Sequence, residues 1–221
     1  MKKWIGLAVA LTLAAGLAFG KSSEENRGDS LLYVGITPGL LLHPPSLLSQ
    51  PVGVAVYLGK SLVLGGEFGS NSATQDNNGD VATVSYTNMG VVLRWFPGNS
   101  FNFLLAAHQR TWDGRANVNI SNGLGGTIPV GMSMQAQTTV GSLGIGNQWM
   151  ADFGLTWGFD WFVLSGPLSS TTRFAIDASA LGGLGATQIA EAETRGNDML
   201  KVLNLVSVFP GLFVFNLGWS F

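Results

Sequence analysis

The chain has 221 residues, 46% of them hydrophobic and only 11% charged, with a formal net charge of −2, whereas soluble domains ordinarily carry about 25% charged residues. It contains no cysteine, which excludes disulfides, thiol catalysis, cysteine-ligated metals and a lipid-modified cysteine, and no basic cluster that would follow a nucleic-acid backbone. Past residue 20 no apolar run reaches the ~18 residues of a membrane helix, so strands closing into a barrel are the remaining way to place this much hydrophobic surface in a membrane.

At the N-terminus Lys2 and Lys3 precede an apolar stretch from Trp4 to Phe19, and Ala18 and Gly20 are small residues where a signal peptidase reads. Residues 1–20 are therefore predicted to be a signal peptide cleaved after Gly20. The polar segment 21–29 is predicted to be a short periplasmic lead-in. Residues 30–221 are predicted to be all-β, a transmembrane up-and-down antiparallel β-barrel of eight strands. Their connections are alternately short and long, as periplasmic turns and outer loops are.

The first strand is predicted over 30–42, interrupted by Pro38, with an outer loop near 43–50. The second, over 51–59, sets Val52, Val54, Val56 and Leu58 on one face and ends in a tight turn at Gly59-Lys60. The third, over 61–69, points Leu62, Leu64 and Phe68 outward and Glu67 inward, before a polar loop near 70–82. The fourth, over 83–96, has Met89, Val91, Leu93 and Trp95 outward and Tyr86, Asn88 and Arg94 inward, then a Pro97–Ser100 turn. The fifth, over 101–112, alternates Phe101, Phe103, Leu105 and Ala107 with Asn102, Ala106, His108 and Arg110, ahead of a loop near 113–135.

The sixth strand, over 136–147, has Leu143 and Ile145 outward. The seventh, over 153–164, places Leu155, Trp157, Phe159, Trp161 and Val163 opposite Thr156, Gly158, Asp160 and Phe162. The connection 165–205 contains a helix-forming stretch, Ala186 to Leu205, expected to break near Gly196-Asn197; the alternative is a hairpin extended beyond the membrane. Trp95, Phe101, Trp157 and Trp161 are the predicted aromatic belt at the membrane interfaces.

In the last strand Phe213, Phe215, Leu217, Trp219 and Phe221 occupy every second position up to the final residue. Such alternation suits a lipid face backed by a tight lumen. This strand resembles the C-terminal assembly signal of bacterial outer-membrane barrels. Gly146-Asn147-Gln148-Trp149, Asp160-Trp161 and Leu217-Gly218-Trp219-Ser220-Phe221 are likewise similar to a broad group of small bacterial outer-membrane proteins, over about the last third of the chain. The resemblance implies residence in outer-membrane lipid, insertion by the barrel-assembly machinery and escort by periplasmic chaperones. It implies a fold more than an activity.

Glu67, Arg94, His108, Arg110 and Asp160 all point inward on this register and are expected to form an internal salt-bridge network, since lumen charges must pair or meet water. An eight-stranded barrel is just wide enough for side chains to fill it. His43 and His108 are the two histidines, and neither stands in a serine, histidine and acid spacing that would carry hydrolysis, although Ser46 lies near His43. The run Asp76-Asn77-Asn78-Gly79-Asp80 has the look of a calcium loop but lacks its bidentate Glu. The expectation is a non-enzymatic barrel with a structural or surface-interaction role in the envelope, without metal, cofactor or nucleic acid. The alternatives are a narrow channel or carrier for small hydrophobic molecules, and a lipid-modifying outer-membrane enzyme.

Overall fold

The structure, a computed structural model, describes residues 21–37, 48–77, 80–121, 127–177 and 186–221; the predicted signal peptide lies outside them. Eight antiparallel strands follow one another in chain order and close into a ring: β1 Leu32–Ile36, β2 Val52–Tyr57, β3 Leu62–Asn77, β4 Asp80–Trp95, β5 Phe101–Ser121, β6 Thr127–Met150, β7 Leu155–Ile176 and β8 Gly211–Ser220. The seam is made by β1 and β8, from Tyr33 opposite Ser220 to Ile36 opposite Leu217. Among the described residues, the helices α1 Ser23–Asp29 and α2 Ala186–Ser207 accompany the ring. Among the described residues, no helix is long and apolar enough to cross a membrane.

Strict alternation gives the ring two unlike surfaces. Val54, Phe68, Val91, Leu105 and Leu143 stand outward and exposed, while Arg94, Asp160, Asn88, Asn102 and Thr138 are buried inside. This is the reverse of a soluble domain. The seam depends on glycine: a Cβ on Gly218 would run into the Val34 carbonyl, the Tyr33 ring and the Gly35 backbone.

The wall is uneven. β3 to β7 run from 16 to 24 residues, whereas β1 has 5, β2 has 6 and β8 has 10. The segments near 70–82 and 113–135, expected as loops, instead continue the strands: Ser70 to Asn77 pairs with Asp80 to Thr87, and Thr111 to Ser121 pairs with Thr127 to Gln137. Their outward polar side chains hide this from hydrophobic periodicity, because both faces of these extensions are free to be polar on one side and mixed on the other. In the 165–205 connection, β7 continues to Ile176 and α2 then passes through Gly196-Asn197 without a break. The helix is carried past Gly196 by packing of its apolar side on the strands, which overrides the ~1 kcal/mol glycine penalty. The 21–29 lead-in is helical, and β1 is shorter than the predicted 30–42, with the Pro38 bend and residues to 47 outside the described part.

One predicted facing is reversed. Phe162 is outward and Val163 is buried, because the β6–β7 register slips by one between Ile145 opposite Phe162 and Gly146 opposite Asp160. Trp161 is the extra residue of a β-bulge, which flips the alternation beyond it. Its neighbour across the sheet, Phe213, has φ +52°, and the two rings meet edge to face at 5.5 Å.

Candidate functional site

The inward side chains fill the ring in layers. Arg94, on β4, donates to both oxygens of Asp160 on β7, at 2.5 and 2.8 Å, and to Asn102 Oδ1 at 3.0 Å. Both members are nearly sealed from solvent. In such surroundings an unpaired charge costs several kcal/mol, so geometry this close is required of the pair. His108 Nε2 lies 3.3 Å from Glu67 Oε2. Arg110 departs from expectation: its Nε donates to Asn88 Oδ1 at 3.3 Å and its Nη1 to the Ser207 carbonyl, with no carboxylate among these partners. The predicted network is thus one ion pair, a His108–Glu67 contact and an arginine turned toward a helix end.

An apolar layer of Val92, Leu104, Ala106, Val163 and Val214 lies beside the Arg94–Asp160 pair. Among the described residues, two cavities of about 40 Å³ each touch both Glu67 and Arg94. Each has room for at least one water molecule.

At the end of the ring where the strands extend, α2 enters the trough formed by the tall wall. Leu200 and Leu203 pack with Tyr86, Trp112 and Ala136. The helix C-terminus is held by polar bonds: Trp112 Nε1 donates to Ser207 Oγ at 3.0 Å, and Thr138 Oγ1 to Asn204 Oδ1 at 2.9 Å. The Arg110 cation meets the negative end of the helix, where unsatisfied carbonyls gather.

At the short-turn end, α1 touches all three turns. Arg27 is fully buried there, its guanidinium 3.9 Å from the centre of the Phe96 ring. It donates to the Lys60 carbonyl at 2.9 Å and to the Gly98 carbonyl at 3.0 Å. Burial pushes the Arg27 guanidinium down to about 10, so it stays charged at neutral pH. Asn26 Nδ2 donates to the Met150 carbonyl and to Asp152 Oδ1, both at 3.0 Å, and Met150 N–H donates to Ser23 Oγ at 3.0 Å. Ser22 and Glu25 form a capping box that starts the helix, worth about 1 kcal/mol. Behind α1, Tyr57, Val63, Phe96 and Met150 close the ring.

On the outside, Phe213, Phe215, Leu217, Trp219 and Phe221 share the outward face. Trp95 stacks on Phe103 and Phe101 meets the same ring edge-on, beside the Pro97–Ser100 turn. Trp157 stacks on Trp149. Three of the four predicted belt residues therefore sit toward the short-turn end, and Trp161 lies higher.

Of the calcium-like run, Asp76 and Asn77 end β3 and Asp80 begins β4, where its carboxylate accepts from Asn119 N–H at 2.9 Å, and Asn78 and Gly79 lie outside the described residues. Among the described residues no group of three or more His, Cys, Asp or Glu could hold a metal ion. His43 and Ser46 lie outside the described residues. No family model, no curated protein and no solved structure matches the chain. Arg27 was missed by sequence reading, although the Ser22-x-x-Glu25 spacing ahead of it is a helix-start signature. Nothing local marks Ser207 as the partner of Arg110.

Proposed function

We propose that the chain is a non-enzymatic outer-membrane barrel, plugged at both ends, that carries rigid β-hairpins above the outer leaflet in a structural or surface-interaction role. The inverted distribution of polarity carries this reading: a girdle of outward Val, Leu, Phe and Trp surrounds an interior holding buried Arg94, Asp160 and Arg110. Monomeric soluble proteins rarely expose contiguous apolar patches beyond a few hundred Å², and a girdle on all eight strands needs a non-aqueous neighbour. From Leu155 to Leu164 the outward apolar run rises roughly 20–23 Å at about 3.3 Å per residue and a tilt near 40°, close to the ~25 Å height of a barrel's apolar band. Above it the outward residues turn polar, as at Ser70, Ser72, Thr87 and Gln109. The alternating outward aromatics of β8 fit recognition by the barrel-assembly machinery, and the filled interior favours a plug over a channel or carrier.

Fractionation tests the proposal. The mature chain is expected in detergent-extracted outer membrane as a species whose electrophoretic mobility changes on heating. Release by osmotic shock would overturn the membrane reading.

A further inference from the structure

The two sides of α2 are both apolar over its last turns. Leu200 and Leu203 are buried against the strands, while Val202, at 58%, and Leu205, at 65%, are exposed on the far side. Phe209, just past the helix, is also exposed. Earlier in the helix the same far side carries Thr194, Asp198 and Lys201, the last two joined in an ion pair at 2.8 Å. Apart from the half-exposed Met199, the exposed face therefore passes from polar to apolar along the helix axis. A helix wholly in water has no use for such a gradient, and one wholly inside a core would not carry the ion pair.

The height at which the change occurs is given by the bonds that hold the helix. Asn204 is tied to Thr138, and Ser207 to Arg110 and Trp112. On those same strands the outward face changes from polar to apolar close by, between Gln109 and Ala107 on β5 and between Thr139 and Leu143 on β6. Val202 and Leu205 are thus level with the upper edge of the apolar girdle. The chain then continues through Phe209 and Pro210 directly into β8, whose outward Phe213 belongs to that girdle. β8 begins at Gly211, and the described part of its neighbour β1 ends at Ile36.

We propose that the C-terminal turns of α2 are a lipid-docking surface: Val202, Leu205 and Phe209 enter the acyl region of the outer leaflet beside the start of β8, and Lys201 reaches the headgroup layer. The inference rests on the membrane reading above and adds a second element to it. The plug helix is then held from two sides, by the strands within and by lipid without, as an interfacial amphipathic helix is.

The chain has no cysteine, so single reporters are clean. Leu205→Cys and Val202→Cys, each carrying an environment-sensitive fluorophore, are compared with Leu105→Cys in the girdle and Thr194→Cys on the polar part of α2. The full chain is folded into vesicles of phosphatidylethanolamine and phosphatidylglycerol containing a lipid spin-labelled near the carbonyl end of its acyl chain. Labels at 105, 202 and 205 are expected to lose emission to the quencher, and the label at 194 to keep it. Quenching at 105 without quenching at 202 and 205 would overturn the docking surface and leave the membrane reading standing. Cross-linking of position 205 to a second copy, with no lipid quenching, would assign the stripe to self-association and overturn it as well. No quenching at 105 would remove the membrane reading and the inference together. Because both α2 positions are exposed, heat-modifiable mobility of each variant checks that folding is retained.

Discussion

Arg94 donates two hydrogen bonds to Asp160 in the middle of the ring, where both are buried. Removing one partner is worse than removing both, because desolvation is borne by whichever charge is left. Asp160→Asn is expected to cost about 3–5 kcal/mol, read as a lower unfolding temperature in detergent, while the double replacement Arg94→Met with Asp160→Leu is expected to stay near the parent. A double replacement as unstable as the single one would show that the pair shapes the ring in some further way. Arg27 presents the same physics with a different partner set, two carbonyls and an aromatic face. Arg27→Ala should cost roughly 2–4 kcal/mol through the orphaned carbonyls and the lost ring contact. Arg27→Lys should not restore it, since one ammonium lacks the planar fork that reaches both carbonyls while lying on the ring. Hydrogen exchange in the Gly59–Ser61 and Pro97–Ser100 turns, rising in both variants, is the measurement.

Among the elements, the short strands β1 and β8 decide whether the ring closes at all. Their backbones approach so closely at Gly218 that a methyl group has nowhere to go. Gly218→Ala is expected to destabilise the folded form by about 1–3 kcal/mol, the usual range for overpacking, and to lower the temperature at which heat-modifiable mobility is lost. Gly166→Ala on β7, where a Cβ meets open space, serves as the matched control and should leave that temperature unchanged. Equal effects from the two would remove the close approach as the cause. The bulge at Trp161 shows how an element can be right in its ends and wrong in its facing: one inserted residue exchanged the roles of Phe162 and Val163, and no pattern of single-residue hydrophobicity distinguishes two large apolar side chains.

For the molecule as a whole, both mouths are occupied, α1 beneath and α2 above, with the Arg94–Asp160 ion pair and apolar layers between them. Two cavities of about 40 Å³ each lie between them, beside Glu67 and Arg94. Reconstituted into a planar bilayer, the full chain is expected to give no stepwise conductance. Discrete steps at constant voltage would mean that a plug moves, and would favour the channel reading over the structural one.

Alternation alone sufficed for the class of fold, the eight strands near their short turns and the inward direction of Glu67, Arg94, His108, Arg110 and Asp160, because a pleated strand sends successive side chains to opposite faces whatever its neighbours do. Partner choice was different. Arg94 found Asp160 and His108 found Glu67 across strands far apart in sequence, and Arg110 found a helix end instead of a carboxylate. Those outcomes follow from register and from which level of the ring each residue reaches, which no local pattern encodes. The same holds for the two plugs: the helical tendency of 23–29 and 186–207 is local, but only the closed ring provides the mouths into which Arg27 and Ser207 fit.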